Sequence, residues 1–188
     1  MKKIIALVLS LALLLGCASA LAETEKTYTG EFNVDDQFTI KWVAPEGYVV
    51  EEVRSGNPGT MIARLVPAEG NEDKPIMLMS IAFDEQYAEV GRLNDLDAET
   101  LAEIEATFKE EDEVEITYME TAYGTKLMMI RETEDKVDYI DFFTIYLGYQ
   151  VEFVMTKSSE EGDAFITDEQ IQTAIQFLSD VDFVPAEQ

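Results

Sequence analysis

The feature that most constrains this chain is a long apolar hairpin toward its C-terminal end. Val137 to Leu147 is nearly continuous in strand-forming residues, breaks at Gly148, and resumes as Val151-Glu152-Phe153-Val154-Met155. Two such runs joined by a tight turn pair as antiparallel neighbours, because a parallel partner needs a long crossover. The order Gly148-Tyr149 predicts a type II′ turn, with glycine at its first central position. A hairpin alone is marginal in water, so this one demands further strands and a cover.

The rest of the chain supplies them. Phe38, Ile40 and Trp42 alternate with Thr39 and Lys41, the period of a half-buried strand. Pro45-Glu46-Gly47-Tyr48 follows as a turn in which proline fixes φ and glycine can take positive φ. Met61, Ala63 and Leu65 alternate between the loops Ser55–Gly59 and Pro67–Pro75, and Val114, Ile116 and Tyr118 alternate with Glu115 and Thr117. Ile76–Phe83 and Leu127–Ile130 are apolar on both parities, which predicts strands covered on both faces.

Two segments read as helices. Asp97 can cap a helix carrying Leu101, Ile104 and Phe108 on one stripe. Thr167 and Gln170 have capping-box spacing ahead of Ile171, Ala174, Ile175 and Leu178. Adjacent strands linked by tight turns, with two helices, predict an α+β fold: a mainly antiparallel sheet of about six to eight strands flanked by two helices.

That element order resembles the Mog1/PsbP-type α/β/α sandwich: an early strand leading into Pro45-Glu46-Gly47-Tyr48, a mid-chain helix, a four-strand meander and a closing amphipathic helix. The stretch Ile171 to Phe183 is similar to the helix and short terminal strand that end small secreted bacterial members. The resemblance implies a binding or accessory module rather than a known reaction. It transfers no functional residue to a position of this chain.

The N-terminus reads as an export signal. Met1-Lys2-Lys3 is a basic start, Ile4–Leu15 an apolar core, and Ala20-Leu21-Ala22 a set of small residues before Glu23. Residues 1–22 are therefore expected to be a signal peptide and 23–188 a single α+β domain, secreted or held at the cell surface. Cys17 follows Leu14-Leu15-Gly16, a near match to a bacterial lipobox, so a lipid anchor at Cys17 is the alternative to removal with the leader.

Composition excludes several chemistries. The chain has 39 Asp+Glu against 13 Lys+Arg, a formal charge of −26, no His and one Cys. Cleavage would deepen the imbalance, since the leader carries Lys2 and Lys3 but no acid. Such a charge opposes nucleic acid and anionic lipid. Without His or a retained Cys there is no Cys/His zinc site and no Ser-His-Asp or Cys-His catalytic set. Phosphate-binding glycine motifs, Ser-x-x-Lys and Gly-x-Ser-x-Gly are missing as well. Asp95-Leu96-Asp97-Ala98-Glu99 opens like a calcium loop, but Thr100 stands where the turn glycine belongs. No cofactor and no metal are expected.

The acidic groups Asp35-Asp36, Glu110–Glu113 and Glu160-Glu161 with Asp163 read as solvated faces, and the strand methionines as core filling. Aromatic residues concentrate in the last hairpin. Trp42, Tyr139, Tyr146 and Tyr149, with Arg131, are the expected ligand or partner surface; Arg54 and Arg64 are further scarce cations. The function expected is an exported, non-catalytic binding or accessory domain, monomeric, whose partner is a protein, a peptide or a small envelope ligand. The alternatives are an acidic structural or cation-buffering surface protein and, third, a hydrolase of envelope glycans working through carboxylates alone.

Overall fold

The computed structural model describes residues 27–53, 60–70, 74–109, 114–134, 137–157 and 165–186. The expected signal peptide with Cys17, Arg54 and the acidic groups at 110–113 and 160–163 lie outside these residues. The fold is α+β, as the strand and helix periodicities predict, with the strands divided between two sheets. β1 (Gly30–Val34), β2 (Phe38–Trp42) and the closing β10 (Asp182–Pro185) form a small sheet in the order β1-β2-β10. The large sheet contains β3 (Tyr48–Val53), β4 (Thr60–Pro67), β5 (Ile76–Phe83), β6 (Glu115–Glu120), β7 (Lys126–Glu134), β8 (Val137–Tyr146) and β9 (Tyr149–Thr156). Its order is β3-β4-β5-β9-β8-β7-β6, and every neighbouring pair is antiparallel.

Both helices begin where their caps place them. In α1 (Ala98–Phe108) the Asp97 carboxylate accepts from the Thr100 amide at 2.8 Å. In α2 (Asp168–Ser179) Thr167 and Gln170 close a reciprocal capping box, and Asp168 and Glu169 in the first turn complement the helix dipole. The α2 stripe of Ile171, Ala174 and Leu178 is buried against the large sheet.

The last hairpin turns one residue earlier than its sequence predicts. Tyr146 pairs with Tyr149, so Leu147 and Gly148 are the central residues, at φ of 51° and 83°. Positive φ at both positions makes the turn type I′, not II′, which matches the right-handed twist of the strands. The Leu147 and Gly148 amides donate to the Gly91 and Val90 carbonyls at 2.8 and 3.0 Å. These bonds hold a leucine in a conformation it would otherwise avoid.

The large sheet is sandwiched unequally. On one face, α2 and the small sheet together enclose the main core, in which Phe38, Ile40, Ile140, Phe142, Val151 and Leu178 are fully sealed. The other face carries a smaller core, where α1 and the segment through Tyr87 and Leu93 pack on Met128, Ile130, Phe143 and Ile145. These sheet residues all belong to β7 and β8.

Candidate functional site

The expected surface of Trp42, Tyr139, Tyr146, Tyr149 and Arg131 is not assembled. Trp42, Tyr146 and Tyr149 are 4%, 1% and 7% exposed. The small sheet, to which Trp42 itself belongs and whose place over the hairpin no local pattern foretells, lies across the two tyrosines. Phe38 packs on Tyr146 and Tyr149 with ring centroids 4.9 and 5.5 Å apart. The polar tips of the two tyrosines are satisfied inside the fold: the Tyr146 hydroxyl donates to the Phe183 carbonyl, and the Tyr149 hydroxyl to Asp35, each at 3.0 Å. The buried Trp42 Nε1, by contrast, finds no acceptor among the described residues. These three are core residues, and the expectation that they line a surface is corrected. Tyr139 is exposed, on the opposite face of the sheet from Arg131.

Arg131 lies in a cleft of about 400 Å³ between α2 and the β6–β7 pair, with Glu115, Met129, Asp168 and Ile175 around it. Its guanidinium is committed to structure. It reaches Asp138 at 3.3 Å, and Asp138, 1% exposed, also accepts from the Ile166 amide at 2.8 Å. A second contact to the exposed Asp168 is 3.9 Å long. Arg131 thus ties the start of β8 to the chain entering α2.

The register of the large sheet exposes a different site. Directly paired residues share a face, so one row runs Ile116, Ile130, Asp141, Val154, Leu78, Arg64, Glu51 from β6 to β3. Ile116 and Ile130 belong to the core under α1. Val154, Leu78 and Arg64 are only half-buried, and Glu51 is exposed. A parallel row joins Tyr139, Thr156, Ile76, Val66 and Val49, the last 46% exposed.

Geometry explains why this half stays open. Seven strands about 4.8 Å apart span close to 30 Å, whereas a helix with its side chains is about 10 Å wide. α1 alone therefore covers little more than the β6–β8 end. Among the described residues, none from β3, β4, β5 or β9 joins the second core. Ile76–Phe83 was expected to be covered on both faces; Ile76, Leu78 and Ala82 are instead half-exposed, and Phe83 is exposed at the strand end.

Asp141 marks the seam between the covered and open halves. The residue retains some solvent exposure, but its Oδ1 is sealed and has no hydrogen-bond partner among the described residues. Glu152, diagonal to it across the β8–β9 pair, accepts from the Ser80 hydroxyl at 3.0 Å. Burial, reinforced by the Glu152 charge, pushes the Asp141 carboxyl up to about 7. Sequence reasoning missed both acids because nothing local separates them from the many others. The usable signal was the polar interruption of two strands otherwise rich in apolar residues.

No protein-family model matches the chain, and comparison with curated proteins finds no significant match. Among solved structures it is similar to the solution structure of cyanobacterial PsbP (CyanoP) from Synechocystis sp. PCC 6803. The two share 10% sequence identity with a TM-score of 0.44, over 86% of this chain and 95% of that one. The sandwich described above rests on its own strand order and register. Among the described residues no helix is long and apolar enough to cross a membrane, and no three acidic, Cys or His side chains converge as a metal site.

Proposed function

We propose that this chain is an exported, non-catalytic binding domain whose partner surface is the open half of the large sheet, over β3, β4, β5 and β9. The observation that carries the reading is the partly exposed row Val154-Leu78 together with Ile76, Val66 and the exposed Val49. Apolar strand residues left in contact with water on a sheet otherwise well covered are a surface awaiting a partner. Export rests on the leader read in residues 1–22, with lipidation at Cys17 as the alternative form of attachment. In either form the domain works outside the membrane, and its partner is a protein or peptide of the envelope.

A carboxylate-only hydrolase is the second reading, and one observation favours it. Asp141 and Glu152 are neighbouring acids in unequal environments, the arrangement that separates an acid from a base. Among the described residues, neither lines any of the four clefts of 400–540 Å³. A flat sheet face suits a macromolecular partner better than a small substrate.

Site-specific photo-crosslinking tests the proposal. A photoreactive side chain at Leu78 or Val154 is expected to capture one discrete partner from envelope fractions, and the same group at Gln172 on α2 is not. Capture from position 172 alone would move the surface elsewhere.

A further inference from the structure

Resting on the reading of the open sheet face as a partner surface, we propose that the partner presents a lysine or arginine between apolar side chains, and that Asp141, backed by Glu152, receives that cation. A sealed carboxylate oxygen without a donor is costly, and a charged donor is the group that best repays it. Asp141 has such an oxygen, and no side chain of the described residues supplies the donor. Its directly paired neighbours on the same face are Ile130 and Val154, neither able to donate from its side chain. A partner's cation, meeting Asp141 where the residue is still partly exposed, would supply the charge that these neighbours do not.

Position fixes what accompanies the cation. Asp141 stands where the apolar row passes from the covered half into Val154 and Leu78, so an arriving ammonium or guanidinium is flanked by apolar surface on its open side. Charge complementarity points the same way: a chain of net charge −26 draws basic partners and repels acidic ones.

The inference carries a pH signature. The ionisable groups sharing the face of Asp141 are Glu152 on β9, Glu132 and Tyr139 beside it on β7 and β8, Tyr118, Glu120 and Lys126 toward the β6 edge, and Arg64 and Glu51 toward the β3 edge. On the helix side, Glu105 pairs with Lys109 and accepts from Tyr118, so these groups satisfy one another. Asp141 is the one held near neutrality, and only its ionised form attracts a cation. Affinity for a cationic partner is therefore expected to rise as pH increases through about 7.

Two nine-residue peptides test this. Both carry Leu at the outer odd positions and Ser between them, so that in an extended conformation the Leu side chains and the central residue share one face. One has Lys at the centre, the other Gln. Titrations followed by the amide resonances of β5 and β9 are expected to give at least tenfold tighter binding of the Lys peptide at pH 8. That preference is expected to shrink several-fold at pH 6 and to vanish in Asp141→Asn, while Glu169→Gln, on α2 across the other face of the sheet, keeps it. Equal binding of the two peptides on these strands at both pH values would leave the face standing and overturn the cation. Failure of both peptides to shift these resonances would overturn the face and the inference with it. A preference that survives in Asp141→Asn, or is lost equally in Glu169→Gln, would reduce the effect to general electrostatics and overturn the assignment. The pH dependence of the unaltered protein serves as the test should Asp141→Asn not fold.

Discussion

Gly30 lies directly beneath the indole of Trp42, so close that a Cβ at position 30 would fall 2.6 Å from the ring atoms Cε2 and Nε1. The two residues are paired across β1 and β2, and the missing side chain of one is the space the other occupies. Gly30→Ala must displace the indole or part the strands. A loss of about 1–3 kcal/mol is expected, the usual cost of overpacking. Trp42 is the only tryptophan, so its emission reports the change, with a red shift in the variant. Unchanged emission and unchanged denaturation would show that the small sheet absorbs a methyl group freely.

Arg131 and Asp138 form a second test of the core boundary. Asp138 is buried, so removing the guanidinium leaves its charge held by fewer donors, including the Ile166 amide. Arg131→Met is expected to cost about 1–3 kcal/mol, since the guanidinium is partly exposed but the carboxylate it leaves behind is buried. The double change Arg131→Met with Asp138→Asn should recover part of that loss. A double variant no better than the single would mean that the pair is not coupled.

The pH dependence of stability follows from Asp141. Its folded value of about 7 stands above the ordinary 3.8, so the folded chain holds a proton that the unfolded chain has released. Stability is therefore undiminished by this group below about pH 4 and falls as pH rises to about 7, by at most roughly 1.4 kcal/mol per unit. Above that range the loss is constant. Asp141→Asn removes the effect, so the variant should gain on the parent from pH 4 to 7 in urea denaturation. A difference that stays flat over this range would contradict the burial of that carboxyl.

Leu147 holds positive φ at an exposed turn, where a branched side chain is strained. Leu147→Asn would create Asn-Gly, the preferred pair for a type I′ turn. A gain of about 1 kcal/mol is expected, since little apolar burial is lost at a residue 38% exposed. A loss instead would show that the leucine contributes packing against the Val90–Gly91 segment.

Much of the architecture was legible in the residues. The hairpin of β8 and β9, the alternation of β2 and both helix starts are written in periods of two and 3.6 and in cap chemistry, all of which act within a few residues. The small sheet was less legible, because β1 and β10 are short, meet through β2 and come from opposite ends of the described chain. Its absence from the sequence picture is what made Trp42, Tyr146 and Tyr149 look available. The aromatic signal was real, but it marked the core under a lid rather than a surface.

The amino-acid order alone determined that this polypeptide makes antiparallel strands with two capped helices, and that its titrating side chains are overwhelmingly acids. Backbone sterics and hydrogen bonding within a turn or a strand pair decide such things locally. Only the tertiary structure decided which side of each strand meets water. An apolar residue in β5 and one in β8 obey the same pleat, yet the second lies under α1 and the first does not, because one short helix is narrower than the sheet it crosses. The same mismatch leaves Asp141 at the edge of shelter, with an oxygen that none of the described residues satisfies.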